Sequence, residues 1–145
     1  MKRFEFSLNK LMGFKKQVLD KEKNDLAQLR RQQQQLFDEK AELEAKLRRS
    51  GEEFNEKAGQ GMTALQVSCF KGYHQSLIQQ IKDMEAAIEQ MNTKVQKQLN
   101  NVIEATKEVS SLEKLEEKQL EDYKFRAAKE EEQFISEYVM NSTYK

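Results

Sequence analysis

Hydrophobic residues recur every seven positions through the second half of the chain, and a second set follows three positions after each of them. This spacing, with β-branched residues favoured in the first set, is typical of the a and d positions of a coiled coil. The pattern predicts one long helix. The a positions are His74, Ile81, Ile88, Val95, Val102 and Val109, and the d positions are Leu77, Met84, Met91, Gln98, Ala105 and Leu112.

The first half carries a weaker pattern of the same kind. Polar residues at such positions lower stability but help to fix the register and the number of helices that associate. A second long helix is therefore predicted here. Its a positions are Met12, Leu19, Leu26, Gln33, Lys40, Leu47 and Phe54, and its d positions are Leu29, Leu36 and Leu43, with breaks at Lys15, Glu22 and Ser50.

Between the two patterns lies "RRSGEEFNEKAGQGMT". Gly59 and Gly61 accept the positive φ angles that a tight reversal requires. Thr63 and Gln66 match the S/T-x-x-E/Q capping box that begins a helix, and Ser50 with Glu53 predicts a short helical restart. We therefore expect a single all-α domain, an antiparallel coiled-coil hairpin whose second helix overhangs the first. The expected limits are about 5–57 for the first helix, 58–62 for the turn and 63–140 for the second helix.

One alternative keeps the chain as a single continuous helix that dimerises in parallel. Two glycines in a helix cost about 1 kcal/mol each relative to alanine, which a long coiled coil can absorb. The hairpin is favoured because the capping box and both glycines coincide where the two patterns fade.

The two predicted arms are unequal in length. A turn near residue 60 pairs positions whose numbers sum to about 120, so Leu8 faces the neighbourhood of Leu112, and residues from about 120 onward lack an intrachain partner. The pattern also changes there, since the apolar residues no longer hold the phase set by Val109. These residues are Leu115, Leu120, Tyr123, Phe134, Ile135 and Tyr138.

Composition narrows the possible classes. The 145 residues are 34% charged and 37% hydrophobic, with five glycines and no proline, which favours long helices over a layered globular core. Lys plus Arg and Asp plus Glu are both 25. This balance argues against broad nucleic-acid binding, which needs a basic surface. The lone Cys69, the absence of a membrane-spanning apolar stretch and the lack of a signal-peptide segment predict a cytoplasmic protein.

No catalytic motif is recognisable. "GQGMT" lacks the spacing of a phosphate-binding loop. His74 and Cys69 are five positions apart, which on a helix points them about 140° from each other and gives no metal site. We therefore expect no enzymatic activity and no cofactor or metal.

Three segments together resemble the FliJ family of flagellar export proteins. They are "FEFSLNKLMGFKKQ" at the start, "GQGMTALQVSCFKGYHQSLIQQI" after the turn, and "LEKLEEKQLEDYKFRAAKEEEQFISEYVMN" at the end. The resemblance spans nearly the whole chain. It implies an antiparallel two-helix coiled coil, similar to the central stalk of rotary ATPases, that serves the cytoplasmic part of the flagellar type III export apparatus.

The resemblance also implies partners and contact residues. Expected partners are the export ATPase ring, the cytoplasmic domain of the export gate and export chaperones, so the protein is expected at the inner face of the cell membrane. The positions that correspond to the family's gate contact are Tyr73, Leu77, Gln80 and Met84; Gln80 and Met84 depart from the family pattern, and Leu77 and Met84 are also expected to be buried. Because the unequal arms leave one end free, we expect the overhang, residues about 113–140, to contact the ATPase ring, through Leu120, Tyr123, Phe134 and Tyr138.

Three other functions remain open at this level. The chain fits the equivalent stalk of a virulence type III secretion system, from which neighbouring genes would distinguish it. A prefoldin-like holdase would have apolar tips, whereas this overhang is mostly charged. A purely structural coiled-coil dimer would have no use for the turn glycines.

Overall fold

A computed structural model describes residues 2–143 and contains two helices, α1 (Asn9–Gln60) and α2 (Ala64–Thr143). Only residues 2–8 and 61–63 of this range are non-helical, and the range includes no strand. The predicted all-α class is confirmed. Helix α1 begins about four residues later than the expected start and ends three residues later than the expected end, because Ala58, Gly59 and Gln60 complete its last turn.

The reversal between the helices depends on one glycine and one capping box. Gly61 has a φ of +96°, and its N–H donates a hydrogen bond of 3.3 Å to the Ala58 carbonyl. The Thr63 N–H donates to Gln66 Oε1 at 3.0 Å, and the Gln66 N–H donates to Thr63 Oγ1 at 3.2 Å. These reciprocal bonds satisfy backbone donors at the start of α2. The predicted capping box is confirmed, whereas Gly59 belongs to α1 and does not provide the positive φ.

The chain divides into two compact units, which are described in turn. The first is Asn24–Asn100 and contains the turn. Here Gln33 Nε2 donates to Asn92 Oδ1 at 2.6 Å, and Lys40 Nζ lies 3.5 Å from Glu85 Oε1. Nearer the turn, the rings of Phe54 and Phe70 meet edge to face at 5.7 Å. The two helical segments of this unit therefore run antiparallel.

The second unit combines the chain up to Lys23 with the chain from Asn101 onward. Its core is formed by Leu19, Ala105 and Val109, with Val102 packed against them. At the edge of this core, Lys15 Nζ forms a 2.8 Å ion pair with Glu108 Oε2. The predicted antiparallel hairpin is thus confirmed, and a continuous helix through the turn is wrong.

Burial follows the predicted heptads closely. All the a and d positions named above are buried or half-buried except His74, including the polar breaks Lys15, Glu22 and Ser50. Helix α1 continues unbroken through Ser50, so the predicted restart is wrong. His74 is exposed because the residues across from it, Ser50 and Gly51, are too small to cover its ring.

The register differs slightly from the expected one. The numbers of paired residues sum to 123 for Lys15 with Glu108 and to 125 for Lys40 with Glu85. The expected sum of about 120 was too low because α1 runs to Gln60 and the reversal occupies residues 61–63.

Candidate interaction surfaces

Residues 2–8 form a non-helical segment, the amino-terminal strap, that packs on α2. In "FEF", Phe4 is half-buried, Glu5 is exposed and Phe6 is buried. This alternation is that of an extended segment, in which every second side chain points to the same side. The rings of Phe4 and Tyr123 lie 5.5 Å apart, and the Tyr123 hydroxyl donates to the Lys2 carbonyl at 2.5 Å.

Because the strap packs on α2, the uncovered end of α2 starts later in the chain than the expected position near residue 120. Leu120 and Tyr123 are half-buried, so the expectation that residues from about 120 lack a partner is wrong. Tyr123 lies two heptads after Val109 and therefore keeps the phase that it was expected to lose. The last half-buried residue is Ala127, and every residue from 128 to 143 is exposed. We call residues 128–143 the free end.

The free end carries a compact group of large apolar side chains. Phe134 and Tyr138 are four positions apart, as are Ile135 and Val139, so all four lie on one side of the helix. Phe134 is 71% exposed and Tyr138 is 69% exposed. We call these four residues the terminal apolar face. The structure thus brings together Phe134 and Tyr138 of the predicted ring contact. It separates them from Tyr123, which contacts the strap, and from Leu120, which is half-buried.

The free end is also strongly acidic. Residues 130–143 include Glu130, Glu131, Glu132 and Glu137 and contain no lysine or arginine. Within residues 2–143, none of these carboxylates takes part in an ion pair. The last turn of α1 contains Lys57, whereas the last turn of α2 contains no basic residue. A helix carboxyl terminus has a partial negative charge that favours cations, yet the basic residue of the free end, Lys129, lies before the glutamates, and its Nζ lies 4.7 Å from the centre of the Phe125 ring. The free end therefore keeps a net negative charge.

The four residues expected at the export gate fall into two groups. Tyr73 is 50% exposed and Gln80 is exposed. Leu77 is 2% exposed and Met84 is half-buried, because both occupy d positions between the helices. The exposed pair is available to a partner, while Leu77 supports the packing beneath it.

Sequence reasoning missed Leu65 as a surface residue. It is 74% exposed and lies four positions before the exposed Cys69, which in turn lies four positions before Tyr73. Residues at this spacing share one helix face. The sequence did contain a signal for this surface, because Leu65, Cys69 and Tyr73 are spaced by four and fall outside the a and d positions.

A groove of about 500 Å³ lies beside this region in the unit 24–100. It is lined by Ser50, Gly51, Phe54, Asn55, Phe70, Lys71, His74 and Gln75. The Lys57 Nζ lies 5.4 Å from the centre of the Phe70 ring, a cation–π contact. A Cβ atom added to Gly51 would meet no other atom within 4 Å, so the groove results from small residues in α1.

The described residues offer no group of three metal-ligating side chains, and Cys69 is a free thiol. No helix in residues 2–143 has an apolar stretch long enough to cross a membrane.

The chain was compared with known proteins. The family model described as "Flagellar FliJ protein" matches residues 4–144. No curated protein and no solved structure matches the chain significantly.

Proposed function

Because the chain belongs to the flagellar FliJ protein family and thus serves flagellar protein export, we propose that it is a stalk and adaptor of the export apparatus. In this role it associates with the export ATPase ring, with the cytoplasmic domain of the export gate and with export chaperones. It acts at the cytoplasmic face of the membrane. Its contribution is mechanical and not enzymatic, as expected of a family of structural or adaptor proteins.

The free end of α2 is the observation that carries this proposal. A stalk component needs an element that its own chain leaves uncovered and that a ring can surround. Residues 128–143 are all exposed yet helical. Sixteen helical residues span roughly 24 Å at about 1.5 Å per residue, which is long enough to enter a ring.

The gate contact is assigned to Tyr73 and Gln80. Both are exposed on α2, whereas Leu77 is buried beneath them. Tyrosine is enriched in interfaces because it combines a large apolar ring with a hydrogen-bonding hydroxyl. With the gate contact at Tyr73 and Gln80 and the ring contact at residues 128–143, the adaptor binds its two partners through different segments of α2.

Truncation after Ala127 tests the role of the free end. The shortened chain keeps all the buried and half-buried residues among 2–143, so its remaining helix should stay folded by circular dichroism. We expect it to lose binding to the export ATPase of the same organism while it still binds the gate domain. The matched control is Tyr73→Ala in the full chain, which should show the reverse. Full ATPase affinity in the truncated chain would reject the proposed role of the free end.

A further inference from the structure

We infer that the terminal apolar face docks as a helix into a groove of the partner that has an apolar floor and a rim of lysine or arginine side chains. The inference deepens the proposed function and rests on it for the identity of the partner, the export ATPase. It adds the chemistry of the contact, and it is carried by the exposure and charge of the free end.

The floor of the groove contacts the terminal apolar face. Phe134, Ile135, Tyr138 and Val139 lie within two helical turns, and each is more than half exposed. Single apolar residues scattered on a surface are normal, but a contiguous patch of large ones marks an interaction site. The strap does not cover them, since burial of α2 ends at Ala127. Anchors on one helix face are the signature of helix-in-groove recognition.

The rim of the groove contacts the glutamates that border the terminal apolar face. With 100° per residue, Glu131 lies in line with the apolar face, one turn before Ile135. Glu130 and Glu132 fall on its two flanks. These three glutamates lie at the start of the face and the negative end of the helix dipole lies beyond its end, while Glu137 is turned about 120° from Glu131 and lies mostly outside the face. A partner that buries the face must bring cationic groups to these positions, because burying unpaired carboxylates is costly.

Other occupants do not fit this face. A second copy of this chain packed in parallel would bring its own Glu130, Glu131 and Glu132 close to the same residues, and like charges in close contact destabilise an interface. Packed antiparallel, it would supply no cation to the rim, because residues 130–143 contain no lysine or arginine. Nucleic acid and anionic lipid are repelled for the same reason. A basic protein groove is the occupant that complements both the apolar and the acidic character of the free end.

The test measures the affinity of the purified full-length chain for the purified export ATPase of the same organism. One variant removes the floor contact (Phe134→Gln with Tyr138→Gln), and another removes the rim contact (Glu131→Gln with Glu132→Gln). Two matched controls are Phe14→Gln, which changes a 58% exposed aromatic on α1, and Glu121→Gln. All changed residues are exposed, so helicity should stay as in the wild type.

We expect the floor variant to bind at least about tenfold more weakly, as for central interface residues. The rim variant should bind about three- to tenfold more weakly at low salt, and this difference should shrink at high salt because exposed charges are screened. The controls should bind as the wild type does.

Each other outcome overturns a distinct claim. If the wild type does not bind the ATPase, the proposed partner is wrong and this inference fails with it. If the wild type binds but the floor variant binds equally well, the inference alone fails. A rim variant without effect, or with tighter binding, rejects the basic groove. Sedimentation showing a dimer that the floor variant disperses would assign the face to a second copy.

Discussion

The aromatic ring of Phe4 lies 5.5 Å from the ring of Tyr123, at an interplanar angle of 51°. The contact joins a residue before α1 to a residue more than 110 positions later in the sequence. The Tyr123 hydroxyl adds a hydrogen bond to the Lys2 carbonyl. Tyr123 therefore fastens the amino-terminal strap to α2 a few residues before the free end begins.

Replacement of Tyr123 by alanine should release the strap. An aromatic pair contributes about 0.5–1.5 kcal/mol beyond the area that it buries, and the hydrogen bond to Lys2 adds about 0.5–1.5 kcal/mol. We therefore expect the free energy of unfolding to fall by about 1–3 kcal/mol. Chymotrypsin should cleave faster after Phe4 and Phe6, because a released strap is open to proteolysis, and its rate of cleavage near the turn should stay unchanged. Phe125→Ala is the control, because Phe125 is exposed. Unchanged cleavage after Phe4 and Phe6 would show that Tyr123 does not hold the strap.

The two turn glycines should respond to alanine with opposite signs. Gly59 is helical, and a Cβ atom there meets nothing within 4 Å, so Gly59→Ala should raise the free energy of unfolding by about 0.5–1 kcal/mol. Gly61 has a φ of +96°, so Gly61→Ala should lower it by about 1–2 kcal/mol. Denaturant unfolding followed by circular dichroism measures both. Equal effects of the two substitutions would contradict this account of the turn.

Tyr73 and Leu77 should separate gate binding from folding. Leu77→Ala removes a buried side chain and should lower the free energy of unfolding by about 2–4 kcal/mol. Tyr73→Ala changes a half-exposed residue and should alter stability by less than about 0.5 kcal/mol while weakening binding to the gate domain. Thermal unfolding and a binding titration test the pair. Tyr73→Ala with wild-type affinity would remove Tyr73 from the gate contact.

Lys15 and Glu108 should show a small coupling energy. Their side chains are 31% and 52% exposed, so solvent screens the 2.8 Å ion pair. A double-mutant cycle with Lys15→Met and Glu108→Gln should give a coupling of about 0.2–1 kcal/mol that decreases with added salt. A larger, salt-independent coupling would mean that the pair fixes the register more strongly than its exposure indicates.

Much of the hairpin could be predicted because heptad positions and helix caps depend only on residues that are close together in the sequence. Lys15 and Ser50 interrupted the apolar pattern, yet both lie in the interface, since a helix places every d position on one side whatever its side chain is. Thr63 and Gln66 were identifiable because a capping box spans only four residues. His74 escaped prediction because its exposure depends on Ser50 and Gly51 across the interface.

Local sequence patterns were enough to predict that two helices form, which positions face inward and that the chain reverses just before Thr63. These properties follow from periodicity and hydrogen bonds between near neighbours. The start of the free end depends on contacts between residues far apart in the chain. Phe4 meets Tyr123 because the register of the hairpin brings that part of α2 to the strap, and no local pattern contains that register.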